Sequence, residues 1–377
     1  MDFSYSDEQR MLQESVQKFI QKKYDFDTRT AIVQSERGYS EEYWKLFAEL
    51  GWLTIPFKEV DGGFGGSAID LMVMMEEFGA GMVVDPFIAT TVIAGGLIAE
   101  LGSEAQKEDL LGKIMQGDLQ LACAFSEANS RFNLSCVSVE AKKEGENYVL
   151  NGEKIAVLNG SNADKILLVA RTSGSMLDSD GISIFIVDPD SDGIKKNIFT
   201  NVDGQKASNI TFESVTVSAD QLLGVEGGAL AALKRVIDIA TLAISAEAVG
   251  AMNSLLNKTV EYTKIRKQFG TTLSTFQALQ HRMADMFIEC QLAKSIVIMA
   301  ALALDGDGSD AEKAKAVSAA KSRVGKAIRL VGQESIQIHG GIAMTDELDV
   351  GHLFKRITVV ESSFGNSDFH TMRFANS

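Results

Sequence analysis

Cysteine and proline are scarce in this 377-residue sequence, at three each. Cys123, Cys136 and Cys290 are an odd number without metal-ligand spacing, and no second cluster of His and Cys accompanies them. A disulfide framework and a thiolate metal centre are therefore excluded, leaving reduced, buried thiols. So few prolines are expected of a compact chain. Positive charge is in deficit, with 36 Lys and Arg against 51 Asp and Glu and a formal net charge of -15. Nucleic acid and anionic lipid need clustered basic side chains, so neither is an expected partner. One diphosphate can still be held by local basic groups and helix N-termini, so net charge leaves a nucleotide cofactor open. No run of 18 uncharged apolar residues occurs, and Met1-Asp2-Phe3 lacks a basic region followed by an apolar stretch. The expected location is cytoplasmic.

What is present is ordinary globular composition, with 45% hydrophobic and 23% charged residues. The length exceeds what one hydrophobic core usually supports, so two or three units are expected. Residues 1–118 read as helices. Ser6 followed by Gln9 is a capping-box pattern, and Met11, Leu12, Val16, Phe19 and Ile20 mark one helical face that ends near Tyr24. Ser40 opens a second helix through Trp44, Leu46 and Phe47, stopped by Gly51; Ser67 opens a third, and 104–115 forms a fourth. The stretch Gly62-Gly63-Phe64-Gly65-Gly66 lacks the Lys-Ser/Thr of a phosphate loop. It reads as a tight connection that uses positive φ and close backbone approach.

Over 119–223 the hydrophobic period shortens to two, through Val137, Val139, Tyr148, Leu150, Ile166, Leu168, Ile182 and Ile184. Asn151-Gly152 lies between two such runs and reads as a hairpin turn. The pattern predicts a small antiparallel β domain of sandwich or barrel type. From 224 onward the helical period returns over 228–265, 275–304, 310–338 and 350–374, broken at Gly270 and Gly340-Gly341, which predicts a four-helix bundle. The expected fold is thus α+β and multidomain: an N-terminal all-α domain (1–118), a middle antiparallel β domain (119–223) and a C-terminal four-helix bundle (224–377).

That order resembles the acyl-CoA dehydrogenases, and local strings carry the resemblance over nearly the whole chain. They are Gly51-Trp52-Leu53, Asn151-Gly152-Glu153-Lys154, Asn162-Ala163-Asp164, Arg266-Lys267-Gln268-Phe269-Gly270, Phe276-Gln277, Ala284-Asp285-Met286 and Gln337-Ile338-His339-Gly340-Gly341. The N-terminal portion, with Tyr24-Asp25-Phe26 and the glycine-rich stretch, is similar in particular to the pimeloyl-CoA dehydrogenase small-subunit type. The resemblance implies α,β-dehydrogenation of an acyl-CoA thioester with FAD as cofactor. A carboxylate removes the α-proton while the β-hydrogen leaves as hydride, and an electron-transfer flavoprotein reoxidises the flavin. It also implies a tetramer, with a homologous dehydrogenase subunit as a possible neighbour.

In the family the FAD site is divided between chains. Arg266, Gln268, Phe269, Gln277, Gln337, Gly340 and Gly341 match the part that reaches into a neighbouring subunit and holds the adenosine diphosphate half. A guanidinium suits that task because it forks onto phosphate oxygens; the alternative reading of Arg266 is a helix-end salt bridge. The other half departs from the pattern. Ser126-Glu127-Ala128 and Arg131-Phe132-Asn133 replace Thr-Glu-Pro and Gly-Ser-Asp, and Ala156-Val157-Leu158 replaces Trp-Ile-Thr. Only the Ser126 hydroxyl and the carboxylate are kept, while aromatic cover and a donor are lost.

The catalytic base is missing at both family positions, which Gly365 and Thr241 occupy, and Leu242 replaces an adjacent Arg. Glu361 is the candidate displaced base, with Asp368 next on the same expected helix face; solvated surface carboxylates are the competing reading of both, and of Glu247 and Asp238. His339 and His370 could titrate near neutrality, but a lone His beside a helix end is usually structural. Three readings follow: a base-lacking subunit that completes a homologous partner's FAD site, an active homotetramer with a displaced base, or a non-catalytic acyl-CoA-binding scaffold.

Overall fold

The computed structural model describes residues 5–377. Local capping chemistry sets the first helices. The Ser6 hydroxyl accepts from the Gln9 N–H, and the Gln9 side chain returns the bond at the start of α1 (Asp7–Lys23). After a short break comes α2 (Phe26–Gln34), which periodicity missed; the Asp25 carboxylate accepts from the Thr28 N–H at its start, 2.8 Å. Ser40 caps α3 (Glu41–Glu49) and Ser67 caps α4 (Ala68–Gly81). The stretch between them makes the close approaches expected of it: a Cβ on Gly63 would lie 2.2 Å from the Phe57 carbonyl oxygen. A π-helical stretch, Ile88–Gly95, runs into α5 (Gly96–Leu101), and Ser103 caps α6 (Glu104–Met115).

The strands β1 (Leu121–Ala124), β2 (Glu140–Glu144), β3 (Asn147–Leu158), β4 (Lys165–Arg171), β5 (Ile182–Val187), β6 (Ile194–Thr200), β7 (Lys206–Ser218) and β8 (Leu222–Leu223) form one sheet. Its order is β6-β7-β3-β2-β4-β5-β8, with β1 beside β4. Pairing is antiparallel except between β1 and β4 and at one β2–β4 register, so the sheet is mixed rather than purely antiparallel. Asn151-Gly152 is not a turn. It lies inside β3, where the register to β7 shifts, and the β2–β3 reversal falls at 145–146. A bulge needs the same positive-φ tolerance as a turn, and Gly152 supplies it at φ +137, with Val139 too close to leave room for a Cβ.

The remaining elements are α7 (Leu230–Ile265), β9 (Lys267–Gln268), β10 (Thr271–Thr272), α8 (Gln277–Asp305), α9 (Asp310–His339), α10 (Asp349–Ser362) and α11 (Ser367–Ala375). The segment expected as one helix over 350–374 is two, because Phe364 at φ +55 and Gly365 at φ +115 break it.

By compactness the chain divides into two units that cut across sequence order. One joins the segment up to Ala31 with Ser67–Val83 and Thr241–Ser377; the other joins Ile32–Gly66 with Val84–Ala240. In the first, α4 crosses α7 in backbone contact: a Cβ on Gly79 would fall 1.8 Å from the Glu247 carbonyl oxygen, and one on Gly250 1.7 Å from that of Glu76. The second is built on the sheet, whose core includes Tyr148, Leu150, Ile166, Phe185, Ile210 and Phe212. All three cysteines are buried and unpaired, as composition implied. Helices α7 and α8 are long and apolar enough to cross a bilayer by length and composition. The apolar window of α7 is 83% buried inside the protein, whereas that of α8 is 28% buried. Phe287, Ile288, Leu292 and Met299 form its uncovered face.

Candidate cofactor site and base position

Arg266 directly follows α7, and its N–H still bonds to the Tyr262 carbonyl at 2.9 Å. The chain then reverses through β9 and β10, paired Thr271 to Gln268 and Thr272 to Lys267. Phe269 (φ +53) and Gly270 (φ +82) form the two-residue loop, both at the positive φ that a type I′ hairpin requires. That geometry pushes the Phe269 ring outward, 90% exposed. Among the described residues the Arg266 side chain makes no hydrogen bond or ion pair, so the helix-end salt bridge does not form. Gln268 and Gln277 are exposed as well.

The second predicted segment belongs to the same fold unit. Gln337, Gly340 and Gly341 are exposed where α9 ends, and a Cβ on either glycine would meet nothing within 4 Å. Gly340 sits at φ 70, ψ -148, a conformation open essentially to glycine alone. The two segments are tied together by the Tyr262 and His339 rings, stacked 4.4 Å apart, and by the Tyr262 hydroxyl, which donates to the His339 carbonyl at 3.3 Å. An unpaired guanidinium beside open glycine main chain and an exposed aromatic ring suits the adenosine diphosphate half of FAD. These residues fit that group.

The sheet unit presents the other predicted half. The Ser126 carbonyl accepts from the Ile155 N–H at 2.9 Å, which sets the 126–128 turn beside the β3 segment 155–158. The Ser126 hydroxyl has no partner among the described residues. Ala156 is held at φ +50, with its N–H given to the Asn209 side chain at 3.0 Å, and Arg131 sits at φ +47. Ala156 and Leu158 offer no side-chain donor. Glu127 is committed elsewhere. It pairs with the fully buried Lys154 at 2.6 Å and accepts from the Ser138 hydroxyl and from the Ser138 and Val139 N–H groups. Burial works to raise the Glu127 pKa, but the Lys154 charge and these hydrogen bonds outweigh it and hold the carboxyl below its usual value.

At the base position the chain is closed. Gly365 is buried, and a Cβ there would lie 2.5 Å from the Phe369 ring and 2.6 Å from His370 Nε2. Its carbonyl accepts from Lys321 Nζ at 2.6 Å, and the same ammonium reaches the Glu361 carbonyl at 2.8 Å. Burial drives the Lys321 pKa down to about 7, opposed by the Glu361 charge. His370 donates from Nε2 to the Phe364 carbonyl at 3.1 Å and accepts at Nδ1 from the Ser318 hydroxyl at 3.3 Å. Its pKa falls to about 3, through burial and then the Lys321 charge, so it does not titrate near neutrality. Burial also lowers that of His339.

Glu361 accepts from the Ser367 hydroxyl at 2.9 Å and N–H at 3.2 Å, and from Arg329 at 3.0 Å. Burial works to raise its pKa; the Ser367 bonds and the Arg329 and Lys321 charges prevail and lower it. Asp368 is exposed on α11, whereas Glu361 belongs to α10, so the two do not share a helix. Glu247 and Asp238 are buried, not solvated: Glu247 takes both oxygens into a fork with Arg356, at 2.5 and 2.7 Å. Thr241 and Leu242 are fully buried in α7.

Three family models cover the chain in order: the acyl-CoA dehydrogenase N-terminal domain at residues 6–118, the middle domain at 122–215 and the C-terminal domain at 226–377. A probable acyl-CoA dehydrogenase, YngJ, from Bacillus subtilis is 30% identical over 380 residues, spanning 100% of this chain and 99% of that protein. The chain belongs to the acyl-CoA dehydrogenase family. Acyl-CoA dehydrogenases are FAD-dependent oxidoreductases acting on CH–CH groups. The chain is also similar to subunit CarC of the caffeyl-CoA reductase-Etf complex of Acetobacterium woodii, at 27% identity over 98% of this chain and 97% of that one. A solved steroid acyl-CoA dehydrogenase, Tcur3481-Tcur3483, superposes with a TM-score of 0.87 at 27% identity, covering 98% of this chain and 97% of that chain.

Sequence reasoning missed Lys321, Ser318 and the Tyr262–His339 pair. Lys321 left a trace: it falls among Val317, Ala320 and Val324 on the buried face of α9, where a lysine is out of place. The ring pair joins residues 77 apart and left none.

Proposed function

We propose that this chain is the base-lacking subunit of a mixed acyl-CoA dehydrogenase tetramer, working in the cytoplasm and completing the FAD site of a homologous catalytic partner. One observation carries the reading: the main chain at Gly365 is packed and hydrogen-bonded so tightly that a carboxylate side chain has no room there. FAD, when bound, supplies the hydride acceptor. Arg266 offsets the charge of its diphosphate, and Gly340 and Gly341, lacking side chains, let the main chain come close to it, while the Gly340 N–H itself stays on the Ile336 carbonyl. The α-proton is taken by the partner's carboxylate, because Gly365 and Thr241 cannot accept one, and Glu361 is made a weaker base by the Ser367 and Arg329 donors that already occupy its oxygen.

The two-component name of the similar Tcur3481-Tcur3483 enzyme supports a mixed assembly, as does the N-terminal resemblance to the pimeloyl-CoA dehydrogenase small subunit. The uncovered apolar face of α8 gives such an assembly a contact surface. Similarity to an Etf-complex subunit supports an electron-transfer flavoprotein as the electron acceptor.

The test is to purify the chain alone and with a homologous partner, then measure flavin absorbance per chain and acyl-CoA oxidation with an artificial acceptor. Fewer flavins than chains, with turnover only in the mixed sample, is expected. Robust turnover by the homogeneous chain overturns the proposal, and loss of that turnover in Glu361→Gln would move the base to Glu361.

A further inference from the structure

Arg266 and the Gly340-Gly341 turn come from the ends of two long helices, and helix ends fray. Nothing in the sequence joins them. In the structure an aromatic contact joins them: Tyr262, one turn before Arg266, and His339, immediately before Gly340, stack at 4.4 Å with their planes 26° apart. The Tyr262 hydroxyl closes the contact on the His339 carbonyl at 3.3 Å. The imidazole is itself oriented, because its Nδ1–H donates to the Ser335 carbonyl one turn back in α9, at 2.8 Å. His339 is therefore fixed in ring plane and tautomer, and Tyr262 is fixed against it.

We propose that Tyr262 and His339 form a clasp that sets the spacing between the Arg266 guanidinium and the Gly340-Gly341 main chain, making both positioning residues for the adenosine diphosphate half of the flavin site. The inference rests on the half-site assignment made above. Two segments that must engage one diphosphate bind it more tightly when their spacing is preset, because less ordering entropy is lost on binding. The contacts that make the clasp are confined to α7 and α9. The clasp should act on a ligand that carries the adenylate and on no other.

The purified oligomer, stripped of flavin, is titrated with FAD and in parallel with FMN, which lacks the adenylate. Tyr262→Leu, which removes stack and hydroxyl, is expected to weaken FAD about tenfold and leave FMN unchanged. Tyr262→Phe keeps the stack and should lose FAD affinity about two- to fivefold with an unchanged melting temperature, so the test survives if the leucine variant misfolds. Wild-type FAD affinity in both variants overturns the clasp. So does equal weakening of FAD and FMN, the mark of a merely structural defect. Arg266→Ala separates the two levels. If it weakens FAD while the Tyr262 variants do not, the clasp alone falls; if it too leaves FAD unchanged, the half-site assignment falls and the clasp with it.

Discussion

Phe269-Gly270 and Phe364-Gly365 are the same dipeptide, in the same fold unit, with both residues of each at positive φ. They separate consecutive helices in opposite circumstances. At the first, the ring is 90% exposed and a Cβ on the glycine would meet nothing within 4 Å. At the second, the glycine is buried, its carbonyl is taken by Lys321, and the space a Cβ needs is filled by Phe369 and His370. Backbone conformation is therefore not what separates an open turn from a filled one. The difference lies in whether the surrounding side chains have already used the polar groups and the volume.

The largest expected effect comes from forcing the closed turn open. Gly365→Glu restores the family carboxylate on paper, yet should destabilise the protein by about 2–4 kcal/mol, from overpacking and left-handed strain, and confer no dehydrogenation on the chain alone. Urea denaturation and turnover with an artificial acceptor check both parts. Gly270→Ala at the open turn should cost only the strain, about 1 kcal/mol.

Next is Arg266→Ala, expected to weaken FAD binding by the oligomer roughly ten- to a hundredfold while denaturation is unchanged. Flavin fluorescence titration reads the first and urea the second.

Lys321 gives a smaller effect, visible only against pH. Its folded pKa of about 7 lies below the unfolded lysine value, so between these limits the unfolded state binds the additional proton and stability rises with pH. The penalty is complete below pH 7 and disappears as pH approaches the unfolded value. Lys321→Met should flatten the stability–pH curve above pH 7, where the group contributes at most about 1.4 kcal/mol per pH unit. An unchanged slope would place the titration elsewhere. The smallest effect is expected for Ser126→Ala, whose hydroxyl has no partner within the described chain; FAD affinity should stay within about twofold of wild type. A large loss there, with none from Arg266→Ala, would reverse the proposed division between the two halves.

How far these features could be read in advance depended on whether their physics was local. Ser6, Ser40 and Ser67 cap helices through contacts three residues away, and each was legible. Asn151-Gly152 misled because a bulge and a turn ask the same of glycine. The break between α10 and α11 was hidden because Phe364, an ordinary helix residue, carries half of it. At the proposed site, the strings around Arg266 and Gly340-Gly341 were visible as motifs because each is contiguous in sequence. The saturation of Gly365 was not, since Lys321 and His370 reach it from separate helices, and Glu247 looked like any surface carboxylate until Arg356, 109 residues away, was placed on it.

The crossing of α4 on α7 has a consequence for how this protein can be taken apart. Gly79 belongs to the segment matched by the N-terminal family model and Gly250 to that matched by the C-terminal one, yet Gly79 lies against the Glu247 main chain and Gly250 against that of Glu76 and Ala80. An excised 1–118 fragment would leave the close-packed main chain of α4 around Gly79 without the α7 backbone that covers it. The segments matched by the family models are not the compact units of the fold, and a swap of the N-terminal segment between relatives is expected to succeed only where the recipient keeps a small residue at the opposite face.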